Sequence, residues 1–197
     1  VKGELKTTFD GKEIDWSGTW PRKDYFELIK ELSGMDLAGV TDVKELRQLL
    51  QKHKVRYEES MGAGRLIDLF WKKLVRPKVQ GPLFLINHPI EVSPLAKRHP
   101  EMPGRVQRMQ VIVAGSELGN GFSELNDPVD QKARFEEQAK LREAGDSEAM
   151  MLDEDYITAL SYGMPPAAGF GFSERLFAFI MDKPIRESVL FPPMRSK

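Results

Sequence analysis

Residues 115–128, GSELGNGFSELNDP, gather two glutamates, two asparagines and three glycines in one short run. On a regular β-strand, residues two apart share a face, so Asn120, Phe122 and Glu124 should point the same way. An amide, an aromatic wall and a carboxylate in a row suit a small cationic ligand: the carboxylate supplies charge, the ring covers an alkyl stem and the amide bonds a polar end. Glu117 has the opposite parity. Gly119 permits an irregularity at low steric cost, and the sequence therefore predicts a β-bulge near Leu118-Gly119 that turns Glu117 toward the same cavity. Taken alone, such a run is more often a half-exposed strand with solvated acids.

A second run, GFGFSERL (residues 169–176), spaces glycines where a backbone is approached closely and then puts Arg175 in the first turn of a helix. A cation is poorly placed against the positive end of a helix dipole. The placement makes sense if an anion rests there, with the guanidinium and backbone N–H groups donating to it. The bland alternative is that Gly169 and Gly171 only let two strands pack closely.

The elements that must carry these runs follow from periodicity. Asp10-Gly11 between LKTTF and KEI predicts a hairpin over Val1–Ile14. Apolar stripes predict helices over Arg22–Leu32, after a Thr41 N-cap with Glu45 nearby, and over Gly64–Val75, where Pro77 ends the third. LFLI (83–86) is a short apolar run of buried-strand character. VQRMQVIVAG and SELGNGFSEL read as adjacent strands joined at Ala114-Gly115-Ser116. Charged and shorter helices follow over Val129–Ala144, with Ala133, Phe135 and Leu141 on its apolar stripe, and over Asp155–Tyr162. PPAAGFGF is extended, and Ser173 marks the start of the last helix. The pattern predicts one compact α+β unit.

The 197 residues carry 29 basic and 30 acidic side chains, a formal charge of −1, so no global field draws the chain to polyanions. Cysteine is absent, which removes thiolate chemistry from this chain. His53, His88 and His99 lack zinc spacing, and packing or surface roles are expected of each. No apolar run is long enough to cross a bilayer, and a soluble, cytoplasmic product with no membrane partner is expected.

Taken together, GSELGNGFSELNDPVDQ, AGDSEAMMLDEDYITALSYGMPP (144–166), GFGFSERL and VLFPPMR (189–195), with EVSPLAKRHP (91–100) and GAGRLIDLF upstream, resemble the C-terminal half of the catalytic domain of class II lysyl-tRNA synthetases. The resemblance covers nearly the whole chain. It implies an antiparallel sheet backed by helices, part of the class II aminoacyl-tRNA synthetase catalytic fold, with ATP and lysine lying on it. It implies that Glu124 receives the lysine ammonium with Asn120 and Phe122 beside it, that Glu117 contacts ATP and its Mg2+, and that Gly171 lies at the nucleotide surface. Arg175 matches the catalytic arginine that neutralises phosphate charge. Lysine, ATP and tRNA are the implied ligands, and a homodimer the implied assembly.

The chain departs from that pattern in three places. Gln110 stands seven residues before Glu117, where the family usually has a second metal-binding glutamate; an amide oxygen can coordinate Mg2+ but brings no charge. The glycine-alternating motif is one residue short, with Ser173-Glu174 ahead of Arg175. The family's first and second motifs and its anticodon-binding domain are not in these residues, so residues 1–197 are expected to be a piece of a longer product with little activity of its own. A protein-lysylating paralogue and a non-catalytic lysine- or nucleotide-binding module remain the alternatives.

Overall fold

The computed structural model describes residues 3–191. Val1, Lys2 and residues 192–197 lie outside them, as does the end of the VLFPPMR run. Strands β1 (Lys6–Phe9) and β2 (Lys12–Asp15) form the hairpin, and Asp10 and Gly11 take φ of 48° and 71° between the paired Phe9 and Lys12. Both central residues of such a turn need positive φ, which is why Asp-Gly carries the signal.

A separate five-stranded sheet runs in chain order: β3 (Arg22–Asp24), β4 (Leu83–Ile86), β5 (Arg108–Val113), β6 (Ser116–Ser123) and β7 (Ala168–Phe172). Only β3 and β4 pair in parallel. Ala114 and Gly115, at φ of 43° and 75°, turn β5 into β6. The strand at β3 corrects the helix expected from Arg22. Its three residues pair with Phe84–Ile86, and the helix waits for Asp24, whose carboxylate accepts from the N–H groups of Phe26 and Glu27.

The crossover from β3 to β4 is helical: α1 (Tyr25–Ser33), α2 (Val43–Lys52) and α3 (Ala63–Phe70). Asp42, not Thr41, caps α2 by accepting from Lys44 N–H, because its carboxylate outcompetes a hydroxyl one residue further out. After α3 the backbone loosens into a π turn (Trp71–Val75) before Pro77 closes the run. Tyr25, Ile29, Leu46, Leu50, Leu66, Phe70 and Trp71 pack with Leu83, Leu85 and Ile112 into the main core. Directly paired residues share a face, so the helices cover the face of Leu83, Leu85, Gln110 and Ile112.

The opposite face holds a smaller core of Ile14, Val111, Val113, Leu118 and Phe179. Here α6 (Arg175–Ile180) and the hairpin close over the sheet, with the Phe9 and Phe179 rings stacked at 3.9 Å. LFLI is apolar throughout because both of its faces are covered. The edge strand β7 pairs only with β6, and all five of its residues are exposed. Among the described residues no helix is long and apolar enough to cross a membrane.

Helices α4 (Pro128–Glu143) and α5 (Glu154–Ser161) follow, capped by Asp127 and Asp153. The expected apolar stripe of α4 is corrected: Ala133 is exposed, and the helix docks through Gln131, Arg134 and Phe135. Gln131 Nε2 donates to Pro94 O at 3.0 Å, and Arg134 Nη1 donates to Ser93 O and Ala96 O at 3.3 and 2.6 Å. Asp130 accepts from Arg134 and, bidentately, from Arg98. Carbonyls of an irregular loop need donors, and here the helix face supplies them.

Burial pushes the Asp130 carboxyl up, but hydrogen bonds from Arg98 and Arg134 outweigh it and leave a pKa of about 2. A depressed folded pKa contributes stability above the unfolded value and loses it as pH falls through the folded one. Asp130→Asn should therefore cost about 2 kcal/mol at neutral pH. Urea unfolding of chain and variant at pH 7 and pH 3 checks this, with the gap between them narrowing at the lower pH.

Candidate functional site

The register of β5 against β6 decides which groups meet. Arg108 pairs with Phe122, Gln110 with Asn120 and Val111 with Gly119, but Ile112 pairs with Glu117, so Leu118 is an extra residue with no partner. Leu118 is buried in the smaller core. The bulge puts Glu117 on the face of Ile112, the same face as Asn120 and Phe122, whereas an unbroken strand would send it to the other. Glu117, Asn120, Phe122 and Glu124 line one open hollow of about 380 Å³, with Gly171 of β7 on its wall.

Glycine is required on the far face of this strand pair, and on the near face its absence of a side chain leaves room beside Glu124. On the far face the Phe170 ring lies across Gly119 and Gly121, where an added Cβ would stand 2.8 Å from ring carbons. On the hollow's face an added Cβ on Gly169 would stand 3.0 Å from Glu124 Oε1, while above Gly171 the space is open. Glu124 itself lies just past β6, held by Ala167 O accepting its N–H and by an isolated bridge to Ala96. Lys97 N–H donates to Ser123 O, and Leu125 N–H to Leu95 O, so residues 95–97 run as a rail beside the strand end.

Arg108 was not singled out from the sequence, although the one charged residue in the RMQVIV strand was a usable signal. Its Nε donates to Asn120 Oδ1 at 2.8 Å, and its Nη1 to Val92 O and Ser93 Oγ at 2.9 and 3.0 Å. Burial lowers its pKa, and Glu117 acts in the opposite sense. Beside it His88 is buried against the Tyr25 ring. Burial, then the Arg108 charge, bring the His88 pKa down to about 4, so the ring is neutral at pH 7. Its Nε2 lies 3.0 Å from Gln110 Oε1 and its Nδ1 3.3 Å from Arg108 O. His53 meets the edge of Phe70, and His99 Nδ1 accepts from Glu101 N–H.

These contacts test the fit of Mg2+. Gln110 is buried with its oxygen engaged by His88, and among the described residues no group of three His, Cys, Asp or Glu is placed to hold a metal. Glu117 and Glu124 are the carboxylates that line the hollow. That donor set suits a Mg2+ that arrives on a nucleotide's phosphates, needing one or two carboxylates, and not a resident ion.

Arg175, like Gln110, is a predicted site residue that the hollow does not include. It opens α6, two residues beyond Ser173, the last residue on the wall, and its side chain is exposed. Ser173 Oγ accepts the Arg175 N–H at 3.2 Å, so the shortened motif turns into the helix at once.

The family model for class II tRNA synthetases (D, K and N) matches residues 2–195. The chain belongs to this family. Among its curated relatives, a lysine–tRNA ligase of Thermotoga maritima is 46% identical over 197 residues, covering 99% of this chain and 39% of that protein. Those of Leuconostoc mesenteroides and Chloroflexus aurantiacus are 44% and 39% identical, covering 99% and 100% of the chain and 40% of each relative. The chain thus spans about 40% of the length of the lysine–tRNA ligases it matches. The antiparallel-dominated sheet with helices is this part of the class II synthetase domain.

Because an alanine methyl at position 169 must push the Glu124 carboxylate aside, Gly169→Ala should weaken binding of a primary-amine ligand about 10-fold with little change in melting temperature. Calorimetric titration of the full-length protein with lysine measures it.

Proposed function

We propose that the protein carrying this chain is a lysine–tRNA ligase, and that residues 1–197 are the C-terminal part of its catalytic domain. The observation that carries the reading is the row Glu124, Phe122, Asn120, Glu117 along one wall of one hollow. The relatives' names supply the reaction. In the order of the row, Glu124 takes the lysine ammonium, Phe122 covers the methylenes, Asn120 meets the polar end, and Glu117 faces the nucleotide with the Mg2+ it brings.

A lysine carboxylate oxygen attacks the α-phosphorus of ATP; the new P–O bond forms as the bond to the β-phosphate bridging oxygen breaks, and pyrophosphate carries away the electron pair. The lysyl group then passes from the adenylate to a hydroxyl of the tRNA terminal ribose, releasing AMP. Mg2+ supplies neutralisation of phosphate charge. The side chains need only hold the carboxylate and phosphorus in line and balance charge, so no side-chain base is required. Gly171 leaves room for the nucleotide, and Arg175 reaches its phosphates once the rest of the site orders the β7–α6 turn. The working assembly is a cytoplasmic homodimer.

The engaged oxygen of Gln110 and the place of Arg175 outside the hollow favour one second reading, a lysine-binding module without catalysis. Both readings need Glu124. Glu124→Gln in the full-length protein should weaken lysine binding about 100-fold and leave ATP binding in place. Lysine-dependent exchange between ATP and pyrophosphate separates ligase from module, and a lysine response unchanged by the substitution removes the role given to Glu124.

A further inference from the structure

Asn120 can face its ligand in only one of two ways, and the structure decides which. A carboxamide has an oxygen that accepts and a nitrogen that donates. Arginine has donors and no acceptor, so the Asn120 atom 2.8 Å from Arg108 Nε must be the oxygen. The amide nitrogen is therefore turned away from Arg108. Among the described residues it donates to nothing, and Asn120 lines the hollow.

The guanidinium is itself fixed. It is largely buried, and its Nη1 donates to Val92 O and Ser93 Oγ, on a loop whose Ser93 carbonyl accepts in turn from Arg134. Arg108 pairs directly with Phe122, which makes Asn120 its diagonal neighbour on the adjoining strand. A planar fork held at two other points gives Asn120 little freedom to rotate.

We propose that Arg108 is a positioning residue: it locks the Asn120 carboxamide so that this part of the hollow offers N–H alone, accepting a ligand's carboxylate and refusing an amine. Resting on the lysine reading above, this adds a polarity to the hollow. Glu124 is selective for the cationic end and the Arg108–Asn120 pair for the anionic end, so a diamine of the same length fills only half of the site. A flipped amide would present its oxygen and lose that discrimination.

The experiment compares lysine with cadaverine, the diamine that lacks the carboxylate, by calorimetry on the full-length protein. The wild type should prefer lysine. Arg108→Met keeps an apolar stem of similar length and should reduce that preference about 10- to 100-fold, the range for one hydrogen bond to a charged group, with cadaverine affinity unchanged. In an Asn120→Ala background the same substitution should reduce the preference no further. Asn120→Asp, which keeps Arg108 partnered, brings no N–H and repels the ligand's carboxylate, should lose the preference at least to the same extent and stands in if Arg108→Met does not fold. Equal loss of both ligands in Arg108→Met, additive penalties, or a preference that survives Asn120→Asp would overturn the proposal. A wild type that binds neither ligand overturns the lysine reading, and this inference with it; a wild type that binds both while the variants lose both alike overturns this inference alone.

Discussion

One unpaired residue in β6 sets the chemistry of this face. Strand parity lets alternate side chains share a wall, and no regular strand could bring Glu117 and Asn120 to the same side. Leu118 breaks the count, and its burial holds the break in place: the side chain fills the smaller core, so sliding the register back would expose a leucine and bury a glutamate. The face of the hollow and the hydrophobic core are thus two readings of the same irregularity. Phe170, lying across Gly119 and Gly121 on the far side, leaves the strand no room to relax.

A second constraint is the use of arginine as internal scaffolding. Residues 93–98 have no regular secondary structure, yet they hold both Arg108 and the segment that guides β6 into Glu124. The segment is tied from two sides, by Arg108 from the sheet through Val92 O and Ser93 Oγ and by Arg134 from α4 through Ser93 O and Ala96 O, with Asp130 balancing the latter's charge. Buried guanidinium groups are costly unless nearly every donor is used. Using them against loop carbonyls converts that cost into a fixed geometry for Asn120. It follows that α4, which lines no part of the hollow, belongs to the same mechanical unit.

The sequence was most legible where a local rule had no competitor. The Asp10-Gly11 and Ala114-Gly115 turns, the helical stripes on α1 to α3, and the bulge itself follow from φ preferences and parity alone. It was least legible where distant partners decided the outcome. Arg22–Asp24 is a strand only because β4 lies beside it, sixty residues on in the chain. The polar underside of α4 makes sense only once the carbonyls of residues 93–96 are seen beneath it. Arg108 carried no motif of its own, and its role appears only when its three acceptors are known. Arg175 shows the opposite case: its type and spacing were plain, but it opens α6 beyond Ser173, outside the hollow and exposed.

The proposed reaction also explains why the row is long. Activation of lysine brings two cations to one surface, the ammonium and the metal carried by the nucleotide, and each needs a carboxylate. Glu124 and Glu117 are separated along the strand by on the order of 20 Å at the usual rise per residue, more than twice the ~8 Å over which salt screens a charge in solution. Two cations held at that distance scarcely repel each other, so filling one end does not oppose filling the other. Between them the site must hold an anion, the carboxylate that reacts. Arg108 stands one layer back with Asn120 in front of it, so its charge reaches the hollow softened into two neutral N–H groups. A strand that carries acid, ring, amide and acid, with the arginine of the neighbouring β5 kept behind the amide, suits the charges of an amino acid lying beside a triphosphate.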